Sequence, residues 1–168
     1  MNLPQIIMSI EFSTATGTYS VFSPYSVSQF TMTLDLTLVG FKNQTTVDLN
    51  APTIEHMYQA LKYYYYTDSG LEKEFAEVIL ATLRPTAAHK LGEGQIDDPK
   101  YINVQVNPNW NSGLATTLIK AMMVARYATE PVLMQTGDNI IVYTGTHMPW
   151  RQDNYLGKLL MNVRDKED

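Results

Sequence analysis

The chain has 168 residues, 12 Lys+Arg against 17 Asp+Glu for a formal net charge of -5, 3 histidines and no cysteine. That length suits one domain whose core needs no covalent staples. Without cysteine there are no disulfides, thiolate nucleophiles, zinc fingers or iron–sulfur clusters, and three scattered histidines make a poor metal site, so no metal and no cofactor is expected. The acidic balance argues against a sequence-independent grip on a phosphate backbone, yet leaves open a nucleotide-sized ligand held by a few local donors.

The N-terminal stretch has no basic segment, and its apolar run is broken by Pro4 and Ser9, so no export signal is expected. No window approaches the ~18 consecutive apolar residues of a membrane span. The expectation is a soluble, cytoplasmic protein without a membrane partner. Thr31 to Val39 alternates strictly, with Met32, Leu34, Leu36 and Leu38 on one face and Thr31, Thr33, Asp35 and Thr37 on the other, the period of a half-buried strand. Gly40, Lys42, Asn43 and Gln44 supply a turn, and Thr45 to Leu49 can return as the second strand of a hairpin. A helix is predicted from Thr53, its N-cap behind Pro52, to Tyr66. A second covers about Leu71 to Leu83, and a short one Thr86 to Leu91, closed by Gly92. Residues 94–111 read as irregular. Ser112 is placed to cap a long helix to about Thr129, and Pro131 opens a short turn that Gly137 ends. Ile140 to Tyr143 is an apolar strand. Leu156, Leu159, Leu160 and Val163 form the stripe of a last helix, capped by Asp153 or Asn154. The expected fold is α+β, a small N-terminal sheet or hairpin surrounded by several helices, in a single compact domain spanning 1–168.

The segment from Glu55 to Lys62 carries candidate chemistry. On a wheel of ~100° per residue, Gln59 falls about 40° and Lys62 about -20° from Glu55, while Ile54, Met57, Tyr58 and Leu61 form an apolar face. A carboxylate, an amide and an amine therefore share one side, a set suited to general acid–base or Schiff-base work. The plainer alternative is an ordinary solvated face, because Glu and Lys are common there. The run Tyr63 to Tyr66 reads either as a stacking wall for a base or as packing plus amphipathic surface. Trp110 and Trp150, in loops beside breakers, are candidates for stacking on a flat ligand or for plugging the core. His147 follows a strand in a loop, where functional residues concentrate. His56 either flanks the Glu55 face, orients Glu55, or is partly buried; His89 is given no role.

Six segments in order resemble the NADAR family, also called YbiA-like. Ile54 to Lys62 is similar to its Glu-His-x-x-Gln-x-x-Lys helix. Ser26 to Phe30 resembles its Leu-Ser-Asn-Phe motif, with Gln29 in place of Asn. Leu83 to Gly92 resembles its Pro-x-x-Ala-x-x-x-Gly segment, and Trp110 falls where the family has a tryptophan before its long helix. Arg126-Tyr127 resembles a Lys-Phe pair, and Asn154 to Arg164 its closing Asn-x-Leu-Gly-x-x-Leu-Met-x-x-Arg. The likeness runs from about Phe22 to Arg164. It implies an N-glycosidase that hydrolyses a base–ribose bond, in an ADP-ribosylated guanine-type base or a phosphoribosylated pyrimidine. Its partner is then a small nucleotide or an ADP-ribosylated base, including a modified base in exposed nucleic acid. By the same resemblance Glu55 and Lys62 are catalytic. Glu55 moves protons and Lys62 attacks the anomeric carbon. Ser28, Gln29, His56, Gln59, Trp110, Arg126, His147, Trp150 and Asn154 are implied to bind substrate.

The chain also departs from the pattern. His147 stands where the family has Asp, a Gly-rich stretch after the tryptophan matching Trp150 is missing, and Glu93 replaces an Arg. These changes remove an anionic acceptor and a phosphate fork. They motivate a second hypothesis, a non-catalytic module that binds or senses ADP-ribose or another NAD-derived nucleotide. A third class, a structural or interaction protein, would use the aromatic residues as a partner surface.

Overall fold

The computed structural model describes residues 7–13, 17–43 and 45–166. Among them the order is β1 (Ser9–Phe12), β2 (Phe30–Asp35), β3 (Thr46–Ala51), α1 (Ile54–Leu61), α2 (Leu71–Leu80), α3 (Pro85–Gly92), α4 (Ala115–Tyr127), α5 (Pro131–Met134), β4 (Ile140–Tyr143) and α6 (Tyr155–Asp165), with short 3-10 turns between. The expected α+β class is what the structure shows. The chain divides into two compact units: Val27–Arg126, and Met1–Ser26 together with Tyr127–Asp168.

In Val27–Arg126, β2 and β3 form the predicted antiparallel hairpin, in register from Phe30 opposite Ala51 to Asp35 opposite Thr46. Phe30, Met32 and Leu34 are buried, while the outer face is tied by side-chain hydrogen bonds Thr31–Asn50 at 2.5 Å and Thr33–Asp48 at 2.7 Å. The strand does not run to Val39. The Asp35 carboxylate accepts from the Thr37 amide at 2.9 Å and the Thr37 hydroxyl at 2.6 Å, turning Leu36–Val39 into a 3-10 helix that Gly40 closes at φ 90°. The alternation breaks there: Leu36 and Val39 go inside and Leu38 stays out. Of the proposed turn residues, Gln44 lies outside the described residues.

Thr53 caps α1 as predicted, its hydroxyl accepting from the His56 amide at 3.2 Å. The helix ends at Leu61 rather than Tyr66. The amides of Tyr63 and Tyr64 both go to the Ala60 carbonyl, and that of Tyr65 to Tyr63. The tyrosine run then divides: Tyr63 and Tyr64 enter the core, Tyr63 edge-on to Phe75 at 4.9 Å, while Tyr66 is exposed. Four consecutive tyrosines thus do not make one wall. The next helix stops at Leu80, short of Leu83, where the amide of Ala81 and the hydroxyl of Thr82 take up its last carbonyls. The helix α3 starts on Pro85 at its first turn, where a missing N–H costs nothing. Ser112 does not cap the long helix. Its hydroxyl returns to the Asn109 carbonyl, and Trp110–Leu114 forms a wide turn through Gly113 at φ 96° before α4 begins.

In the other unit, β1 pairs with β4 in parallel, Ser9 opposite Ile140 to Phe12 opposite Tyr143. The Ile140–Tyr143 strand agrees with expectation. Its partner was not foreseen, since Ser9–Phe12 is only four residues long. Phe12, Phe22, Ile141, Tyr143, Leu156, Leu159 and Leu160 are buried here. Asn154 precedes α6 in the left-handed region at φ 52°, without capping it. Instead its amide nitrogen donates to the Ile141 carbonyl at 2.8 Å and its oxygen accepts from the Tyr143 amide at 2.9 Å, closing one edge of β4. Among the described residues no helix is long and apolar enough to cross a membrane.

Candidate active site

The first and last turns of α1 present Glu55 and Lys62, and α3 brings His89 and Glu93 against them. The solvated-face alternative does not match the structure, in which this side of the helix is buried. Glu55, His56 and Gln59 are as buried as Met57 and Leu61, and Lys62 is only 7% exposed. The polar side of α1 is covered by α3, so these groups need partners in place of water.

They have them. The Glu55 carboxylate accepts from His89 Nδ1 at 2.7 Å and from Gln59 Nε2 at 2.8 Å. Gln59 gives its other amide proton to Glu93 at 3.2 Å, and Lys62 Nζ donates to the same Glu93 oxygen at 2.9 Å. With both Gln59 protons on carboxylates and the Nδ1 proton on Glu55, the 3.4 Å approach of Gln59 to His89 Nδ1 is a close contact, not a further bond. The amide is fixed in this orientation, because a flip would aim its oxygen at two carboxylates. Gln59 Oε1 consequently has no hydrogen-bond partner and lies against Gly92. A Cβ at position 92 would come within 2.5 Å of Gln59 Cδ and 2.6 Å of its Cβ, so only glycine fits. Tyr63 donates to the Gly92 carbonyl at 3.1 Å, and Lys62 Nζ lies 5.7 Å from the Tyr58 ring.

The electrostatics follow from this wiring. The hydrogen bond to Glu55 raises the His89 pKa against the opposing effect of burial; the charges of Glu55 and Glu93 add to the rise and Lys62 subtracts from it. Burial pushes the Glu93 carboxyl up, but the hydrogen bond and charge of Lys62, aided by Gln59 and His89, bring it below the ordinary value. A carboxylate paired with an imidazole and an amine paired with a carboxylate, joined by one amide, can move protons at two points and offer a nucleophile at a third.

Sequence reasoning gave His89 no role, yet it is the residue bonded to Glu55. Its signal was its place three residues before Gly92, on the face of α3 that packs on α1. His56 is buried and turned elsewhere: Nε2 donates to the Thr82 carbonyl at 3.0 Å and Nδ1 accepts from the Thr53 hydroxyl at 2.8 Å. That is a neutral structural histidine, and burial lowers its pKa. Trp110 is 7% exposed and edge-on to Tyr58 at 6.0 Å, next to the cluster through Tyr58. Arg126 is buried, Ser28 is half-buried with its amide on the Pro52 carbonyl at 2.9 Å, and Gln29 is exposed. In the other unit His147 packs on the Tyr25 ring at 4.3 Å, while Trp150 is wholly buried and stacked with Tyr155 at 6.3 Å. Trp150 thus packs in the core of this unit, and Asn154 is hydrogen-bonded to β4.

No protein-family model and no curated protein matches the chain. Among solved structures, the NMR structure of the E. coli protein YbiA is similar at TM-score 0.62 and 21% identity, covering 95% of this chain and 84% of that one. At that identity the likeness is one of fold, and it is to the protein whose name the YbiA-like family carries.

Proposed function

We propose that the protein is an N-glycosidase acting on the base–ribose bond of an ADP-ribosylated or phosphoribosylated base. The observation that carries this reading is the continuous chain Glu55–Gln59–Glu93–Lys62, with His89 on Glu55, which sets a proton-handling carboxylate and an amine on one helix. The motif resemblance and the YbiA-like fold support it. Cleavage passes through a cation-like anomeric carbon. Lys62 passes a proton to Glu93 as their ion pair opens and captures that carbon as the neutral amine, while Glu55 manages protons for the leaving base. Incubation with a panel of ADP-ribosylated and phosphoribosylated bases, followed by mass spectrometry, tests it. The expected result is release of free base by the wild type and none by Lys62→Ala. Release from no member of the panel refutes it.

A second reading, a module that binds an NAD-derived nucleotide without turnover, is favoured by one feature. Lys62 is engaged by Glu93, where the resembled family has an arginine. Calorimetric binding of ADP-ribose with no product in the recovered mixture selects it.

A further inference from the structure

The Glu55 carboxylate is only 1% exposed, whereas the His89 side chain it holds is 35% exposed. The carboxylate is therefore out of reach of a ligand that the imidazole can meet. Nδ1–H is committed to Glu55, and Nε2 takes no hydrogen-bond partner among the described residues. This is the arrangement in which a buried carboxylate fixes the tautomer and stabilises an imidazolium, leaving Nε2–H to do chemistry outward. Resting on the glycosidase reading above, we propose that His89, backed by Glu55, is the proton donor to the departing base.

The step balances with no added reagent. The bond from the anomeric carbon to the base nitrogen breaks and its electron pair moves onto the base. The Nε2 proton of His89 passes to that base, leaving neutral imidazole. Water then supplies the hydroxyl at the anomeric carbon by displacing Lys62 as the neutral amine, and its released proton restores the imidazolium. The charged groups acting on the ring are Glu55 and Lys62 from the ends of α1 and Glu93 after α3; α2, which also packs on α3, contributes none.

The test compares leaving groups. A ribosylated base needs a proton to depart, whereas 4-nitrophenol leaves as the anion. Wild type, His89→Gln and Lys62→Ala are assayed on the ribosylated-base panel and on 4-nitrophenyl β-D-ribofuranoside. His89→Gln is expected to lose about 10²–10⁴-fold on the base, the usual contribution of a general acid, and clearly less on the nitrophenyl riboside. Lys62→Ala loses both. In the wild type the base reaction weakens as pH rises through the His89 pKa, and this limb is absent from the nitrophenyl reaction. Equal loss on both probes, or none, overturns the proposal while the glycosidase reading stands. A wild type that releases neither base nor nitrophenol overturns the glycosidase reading itself and this with it. An NMR titration guards against misfolding. The His89 imidazole should titrate above the ordinary value of about 6.5 and fall in Glu55→Gln. Titration at or below that value overturns the proposal.

Discussion

Gly92→Ala sets two effects of opposite sign against each other. In an exposed helix the change gains up to about 1 kcal/mol of propensity, because alanine orders less backbone entropy than glycine. Here the new methyl would lie 2.6 Å from Gln59 Cβ and 2.5 Å from its Cδ, inside any real contact distance. Rotating the amide away cannot relieve the Cβ contact, which belongs to the rigid part of α1, so α1 and α3 must separate. Overpacking of this kind costs about 1–3 kcal/mol. Displacing Gln59 also weakens hydrogen bonds to two carboxylates, each worth about 1.5–3 kcal/mol. The clash wins, with a net loss of about 2–4 kcal/mol, or a fall in Tm of about 5–15 °C for a chain of this size. Urea unfolding and thermal melting measure it. Adding Gln59→Ala to Gly92→Ala removes Cδ and the amide but keeps the offending Cβ, so it recovers only part of the loss. A Gly92→Ala protein as stable as wild type, or more stable, refutes the packing of α3 on Gln59.

The two histidines of this unit make stability depend on pH in opposite senses. His56 has a lowered folded pKa, so its contribution is present above about 6.5 and is lost as pH falls through the folded value; His56→Gln should flatten that acid limb in urea titrations. His89 has a raised folded pKa, so its contribution is full below about 6.5 and is lost as pH rises through the folded value; Glu55→Gln should flatten that limb. Glu93→Gln should lower the His89 pKa by less than Glu55→Gln does, read by NMR, because Glu93 acts on the ring by charge alone. With Glu93 about half exposed, that variant should cost no more than about 1 kcal/mol in stability. Asn154→Gly removes two hydrogen bonds to β4 and should cost about 2 kcal/mol. Asn154→Ala should cost about 1–2 kcal/mol more, because it also forces a methyl side chain into the left-handed region; equal losses would contradict this.

What was legible in the sequence is what depends on local pattern. The Thr53 cap, the period-two run of β2, the short helix running up to Gly92 and the Ile140–Tyr143 strand all follow from neighbours within a few residues. The errors fall where a side chain or a distant segment overrules the pattern. Asp35 ends β2 by capturing Thr37. The four tyrosines end α1 because two are drawn into the core. The strand β1 exists because β4, more than a hundred residues away, supplies its hydrogen bonds. In the site, Glu55, Gln59 and Lys62 were visible as one helix face. His89 was not, and Glu93 was visible only as a departure from the resembled pattern, because their bonds to that face depend on how α3 lies across it. His56, adjacent to Glu55 and the more conspicuous histidine by position, turns to Thr82 instead.

The same geometry gives a physical meaning to the glutamate at position 93, where the resembled pattern has an arginine. With His89 protonated, the cluster holds two carboxylates, one ammonium and one imidazolium, and is formally neutral. An arginine at that position would leave a surplus of two positive charges beside the anomeric carbon and present a fork for phosphate. Glu93 instead ties up Lys62 and accepts from Gln59. Under the glycosidase reading, the cluster is therefore built to recognise a ribose and its departing base rather than a phosphate. Any phosphate on the substrate has to be held by groups outside it. Under the same reading, the carboxylate that disfavours an anion also stabilises the His89 imidazolium, so Glu93 in place of the resembled pattern's arginine bears on substrate electrostatics and proton supply together.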